Sequence, residues 1–93
     1  MKTLKDKVIV ITGASSGIGE AMAREYAARG AKVVLGARSV QKLQLLAGEI
    51  RRHCVQAAYC GVDVTQPEEC RGLIDTAVRE FGGVDVLVCN AGI

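Results

Sequence analysis

At 93 residues the chain has room for one domain of ordinary size or part of one, which leaves no space for a second, substrate-binding domain. Apolar residues at 49% and charged residues at 24% are the composition of a globular chain and not of a disordered tail. Twelve Lys and Arg against ten Asp and Glu, with only 3% aromatics, argue against nucleic-acid partners; the short apolar runs argue against a membrane span or secretion signal, and a cytoplasmic protein is expected.

The first apolar run, Val8-Ile9-Val10-Ile11, is β-branched and apolar at both parities, the pattern of a strand covered on both faces. A helix is predicted from about Ser16 to Arg29, with Ile18, Ala21, Met22 and Tyr26 on its apolar face and Gly30 as its stop. Val33-Val34-Leu35 is the second strand. The second helix runs from about Val40 to His53, with Leu43, Leu46, Ala47, Ile50 and Cys54 at helical spacing. Gln56 to Val62 reads as a weaker, edge-like third strand. Thr65-Gln66-Pro67-Glu68 has the spacing of a capping box, and the helix it opens carries Cys70, Leu73, Ile74, Ala77, Val78 and Phe81 as an apolar stripe before Gly82-Gly83. The fourth strand is Val84 to Cys89.

This βαβαβαβ order predicts an α/β fold with a parallel sheet, since right-handed crossovers join successive parallel strands. If the first strand is central, the strand order is 3-2-1-4, a partial Rossmann fold. Ligands of such sheets bind where the order reverses, between strands one and four.

Cys54, Cys60, Cys70 and Cys89 include no C-x-x-C pair, and His53 is the only histidine, so no metal site is expected. Each cysteine falls where a small apolar residue would fit, and all four are read as free buried thiols.

Directly after the first strand comes Thr12-Gly13-Ala14-Ser15-Ser16-Gly17-Ile18-Gly19. A tight strand-to-helix turn needs a residue tolerant of positive φ, which Gly13 supplies. Phosphate oxygens reach the unpaired N–H groups of a helix start only where no Cβ intervenes, which suits Gly17, and Gly19 would let the helix pack closely on the sheet. The Ser15 and Ser16 hydroxyls add donors. On spacing alone, a glycine-rich turn without a ligand stays open, because G-x-x-x-G-x-G is not the usual dinucleotide spacing.

The segment from Thr12 to Gly19 resembles the T-G-x-x-x-G-x-G turn of the short-chain dehydrogenase/reductase family. Two further segments match in order: Asp63-Val64-Thr65 after the third strand and Cys89-Asn90-Ala91-Gly92, similar to the family's N-N-A-G, after the fourth. The resemblance spans the whole chain. It implies a nicotinamide dinucleotide held by Gly13, Ser15, Ser16, Gly17, Ile18 and Gly19 at the pyrophosphate. It also places Asp63 and Val64 beside the adenine, and Asn90, Ala91 and Gly92 along the ribose. Cys89 stands where the family has its first Asn, with a modest local effect expected.

Rossmann turns that bind NAD place an acidic residue about 20 positions past the glycines, where it accepts from both ribose hydroxyls. Here that region reads Leu35-Gly36-Ala37-Arg38-Ser39, with no carboxylate. The Arg38 guanidinium can grip a 2′-phosphate in two-point fashion and Ser39 can add a donor, so NADP(H) is expected over NAD(H).

The family's reaction, hydride transfer between the dinucleotide and a carbonyl or alcohol, relies on a Ser and a Tyr-x-x-x-Lys pair. At the lysine's spacing Tyr26 is followed by Gly30 and Tyr59 by Asp63, so no catalytic residue is assigned. The 93 residues read as one NADP-binding domain truncated before the catalytic segment and inactive alone. Alternatives are a non-enzymatic nucleotide-binding or interaction module, including self-association through an exposed strand-four edge, and half of a split enzyme.

Overall fold

The computed structural model describes residues 4–14, 17–52, 56–62 and 67–89. Strands β1 (Val8–Thr12), β2 (Lys32–Ala37), β3 (Ala57–Gly61) and β4 (Val86–Cys89) alternate with helices α1 (Gly17–Ala28), α2 (Val40–Arg51) and α3 (Pro67–Phe81). All strand pairs are parallel and the sheet order is β3-β2-β1-β4, as the crossover rule requires.

The double-parity runs of β1 and β2 split between two cores. Ile9, Ile11, Val33 and Leu35 face α1 and α2, where they meet Ala23, Ala27, Leu43, Leu46, Ala47 and Ile50. Val8, Val10 and Val34 face the other way, onto Leu73 and Ala77 of α3 and onto Val62. Burying a Val, Leu or Ile side chain contributes roughly 1.5–3 kcal/mol, so the central strands anchor both layers. The edges differ. At the start of β3 the Arg51 guanidinium donates from Nε to the Ala57 carbonyl at 2.9 Å, which blunts that edge. β4 has no helix packed on it among the described residues, and Val86 and Leu87 are 45% and 49% exposed.

The termini of the elements follow their local chemistry. Gly13, Gly30 and Gly82 all take positive φ, at 67°, 94° and 85°, as the three predicted turn and stop positions require. The α1 and α2 layer is tied by Arg24, which binds Glu20 on its own helix at 2.9 Å and Glu49 on α2. Hydrogen bonds donated to Glu49 first, then to Glu20, raise the pKa of the Arg24 guanidinium above its ordinary value, and the bond to Arg24 holds that of the Glu49 carboxyl below its own.

Four expectations are corrected. The buried face of α1 is Gly19, Ala23 and Ala27, while Ile18 and Ala21 are exposed and Met22 and Tyr26 are half-buried on its flank. Small residues face the sheet there because they let the helix come close. On α3, Val78 is 52% exposed and Thr76 is buried in its stead, its hydroxyl donating to the Gly72 carbonyl at 2.9 Å. Strand β4 starts at Val86, not Val84: at Asp85 the side-chain Oδ2, in place of a backbone carbonyl, accepts from the Val8 N–H at 2.8 Å. Cys60 is a free thiol, but half-buried. His53, Cys54 and the capping residue Thr65 lie outside the described residues.

Candidate functional site

The sheet order reverses between β1 and β4, so the crevice above their C-terminal ends is the switch point. Thr12, the last residue of β1, lies between Gly36 of β2 and Cys89 of β4. Its buried hydroxyl donates to the Val88 carbonyl at 3.3 Å, tying the two strands at the crevice floor. The next residue, Gly13, turns the chain with φ 67°, and the Ala14 N–H is received by the Gly36 carbonyl at 3.1 Å. This aims the start of α1 at the crevice.

The three glycines divide as their physical reasons differ. Gly13 is there for its φ, and Gly19 is on the buried face of α1. Gly17 shows neither reason: it is exposed, and among the described residues no atom lies within 4 Å of a Cβ built on it. Packing therefore does not ask for glycine at the first residue of α1, whereas an anion approaching the helix amides does. Ile18, next to it, is 58% exposed.

At the end of β2, Ala37 is followed by exposed Arg38 and then Ser39. Ser39 is the N-cap of α2, its Oγ accepting from the Lys42 N–H at 3.4 Å. The hydroxyl proton stays able to donate outward, so the cap fixes Ser39 in place without using the hydrogen that a phosphate would need. Gly13, Gly17, Ile18, Gly19, Arg38 and Ser39 thus line one end of the sheet. Ser15, Ser16, Asp63, Val64, Asn90, Ala91 and Gly92 lie outside the described residues.

Sequence reasoning passed over Gly36. A Cβ there would meet Leu73 Cδ2 at 2.6 Å and Val62 Cγ2 at 3.2 Å, so this glycine lets α3 seat on β2 immediately below the site. An isolated glycine inside a strand pattern is the signal that marks such an approach. The arrangement fits a dinucleotide: a helix N-terminus with a Cβ-free first residue for the pyrophosphate, and the exposed cation Arg38 at the end of the second strand. Among the described residues no cluster of His, Cys, Asp and Glu could hold a metal ion, and no helix is long and apolar enough to cross a membrane.

The short chain dehydrogenase family profile matches residues 7–93. An uncharacterised oxidoreductase of Listeria innocua is 47% identical over 91 residues, which cover 98% of this chain and 37% of that protein. A short-chain dehydrogenase/reductase from Mycobacterium marinum superposes with a TM-score of 0.91 at 46% identity, over 98% of this chain and 37% of its own. L-Sorbose reductase from Gluconobacter frateurii, solved with NADPH and L-sorbose, superposes with a TM-score of 0.92 at 41% identity, over 98% of this chain and 35% of its own. The chain thus spans little more than a third of the length of these relatives. With its glycine turn at the switch point of a 3-2-1-4 parallel sheet and a family match over nearly its whole length, the chain belongs to the short-chain dehydrogenase family.

Proposed function

We propose that these 93 residues form the NADP(H)-binding part of a short-chain oxidoreductase. The observation that carries this reading is Gly17, exposed at the first position of α1 with no atom of the described residues near the place of its missing Cβ. The α1 amides and the Ser15 and Ser16 hydroxyls would bind the pyrophosphate, and Asp63 and Val64 would border the adenine. Arg38, with Ser39, would hold the 2′-phosphate, and Asn90, Ala91 and Gly92 would lie along the ribose. When bound, the nicotinamide supplies or accepts the hydride exchanged with a carbonyl or alcohol. The residues here orient the dinucleotide and neutralise its phosphates. No Tyr-x-x-x-Lys pair is among them, so the 93 residues alone do not turn over. A cytoplasmic setting belongs to the same reading, since a reducing compartment keeps a thiol such as Cys60 free.

Fluorescence titration of NADPH, with NADH as the control, tests the assignment. Saturable binding that favours NADPH is expected; no saturable binding of either would overturn it. Carbonyl reduction by the pure chain would overturn the claim of inactivity. A second reading, self-association through β4, is favoured by the exposure of Val86 and Leu87 on a strand that, among the described residues, pairs with β1 alone. Sedimentation as a monomer at high concentration would remove it.

A further inference from the structure

β3 is the other outer strand of the sheet and, among the described residues, pairs with β2 alone. In a parallel ladder the backbone groups of alternate residues point to the same side. The Val33 N–H donates to the Gln56 carbonyl at 3.2 Å and the Val62 N–H to the Ala37 carbonyl at 2.9 Å, so the even positions from Gln56 to Val62 bond inward to β2. Ala57, Tyr59 and Gly61 therefore turn their N–H and C=O groups to the open edge. An edge of this kind is a template for another strand, and proteins usually protect it with a charge, a proline or a bulge in the strand itself. Ala57-Ala58-Tyr59-Cys60-Gly61 has no charge and no proline, and its register with β2 runs from Val33–Ala57 to Ala37–Gly61 without a bulge. Nor do the helices close over its start: a hollow of about 370 Å³ lies there, lined by Arg51, Gln56, Ala57, Ala58, Glu80 and Phe81.

We propose that Arg51 is the guard of this edge, an inhibitory contact that keeps two copies of the chain from joining their sheets through β3. The edge is self-complementary: two copies related by a two-fold axis through Tyr59 would pair antiparallel, with Ala57 of each facing Gly61 of the other. The outward groups of all these residues would then be bonded. Arg51, the last residue of α2, occupies the Ala57 carbonyl with Nε at 2.9 Å and Nη2 at 2.5 Å. By symmetry the guanidinium takes that acceptor at both ends of the seam, leaving the Gly61 N–H of each copy without a partner. It also puts a cation from each copy where the second strand must enter. Glu80 lines the same hollow, yet among the described residues it forms no ion pair with Arg51, whose bonds go to the strand. This edge is at the far side of the sheet from β4, so the guard is separate from any association through Val86 and Leu87.

Arg51→Met and Arg51→Gln separate the bond from the charge. Both remove the cation and keep an unbranched stem, but Gln carries an amide nitrogen where Arg51 has Nε, and Met carries no donor. Arg51 is exposed at a helix end and both replacements favour helix, so the fold should hold. The Val33 and Val62 amides, bonded inside the sheet, report it. Amide exchange is followed at rising protein concentration alongside sedimentation. In the parent the Tyr59 amide should exchange freely at every concentration. In Arg51→Met it should slow by about 10-fold, the protection reached when roughly nine-tenths of the chains are paired, while the mass rises to that of a dimer. Arg51→Gln should stay with the parent. Equal Tyr59 exchange in the two variants overturns the guard, as does protection of Tyr59 in the parent. A dimer of Arg51→Met that slows the Val86 amide on β4 and not Tyr59 overturns it too. If Arg51→Met loses protection at Val33 and Val62, Arg51→Ala takes its place against Arg51→Gln, and the same outcomes decide.

Discussion

Gly17→Ala separates the ligand from the fold in a single substitution. Among the described residues the added methyl meets no atom within 4 Å, and Gly17 already sits in helix α1, so the folded state is expected to accept it. Ala in place of Gly inside a helix stabilises by roughly 0.5–1 kcal/mol, and at the first position of α1 the gain should fall between zero and that figure. The same methyl stands where a phosphate oxygen must approach the α1 amides. Hydrogen bonds to a charged group contribute about 1.5–3 kcal/mol each, so displacing one of them weakens NADPH binding by roughly 10- to 100-fold at 1.4 kcal/mol per tenfold. Urea unfolding measures the first quantity and fluorescence titration the second, on the same preparation. Destabilisation by more than about 1 kcal/mol would refute the open-space reasoning, and unchanged affinity would refute the assignment of Gly17 to the phosphate.

Gly36→Ala should have the opposite profile. Its Cβ would overlap Leu73, which is 1% exposed and hemmed in by the α3 core, so overpacking should cost about 1–3 kcal/mol in urea unfolding. Gly61→Ala makes an equally close contact, 2.5 Å to Val40 Cγ2, but Val40 is 46% exposed and can turn outward, so a smaller loss than at Gly36 is expected in the same assay. Arg38→Ala should raise the NADPH Kd by roughly 10- to 100-fold, the loss of a charged phosphate contact, while leaving NADH within about twofold; equal weakening of both by titration would count against the 2′-phosphate role. The Glu49 carboxyl is held below its ordinary 4.5 by hydrogen bonding to Arg24. Stabilisation from a lowered carboxylate is full above the unfolded value and disappears as pH falls through the folded one. The parent chain should therefore exceed Glu49→Gln by a small margin at neutral pH, and their thermal midpoints should converge below about pH 4.5.

The parts of the fold legible in the sequence are those where large apolar residues report burial directly. Leu43, Leu46, Ala47 and Ile50 all face the sheet as their spacing predicts, and the β1 run placed the central strand. Helix α1 was misread because hydropathy ranks Ile18 and Met22 above Gly19, Ala23 and Ala27, whereas close approach to a sheet selects by size. Val78 continued the α3 stripe in sequence but sits beyond the width that the sheet covers. At the turn, Gly13 and Gly19 were readable because a positive φ and a buried helix position are backbone reasons. Gly36 and Asp85 were not, since their partners, Leu73 and Val8, are remote in sequence and no local pattern names them.

The seam between β1 and β4 joins residues 77 positions apart, from Val8 to Asp85, whereas β1 meets β2 at Lys32. Closing the longer loop costs roughly 1 kcal/mol more in chain entropy, and it has to wait until α3 has been synthesised. During translation β1, β2 and β3 can assemble with their helices while one side of β1 stays open. The crevice therefore closes after β1, β2 and β3 have come together. Any mutation that slows that step would leave a nascent chain with a formed core, a central strand paired on one side only and a time window for aggregation.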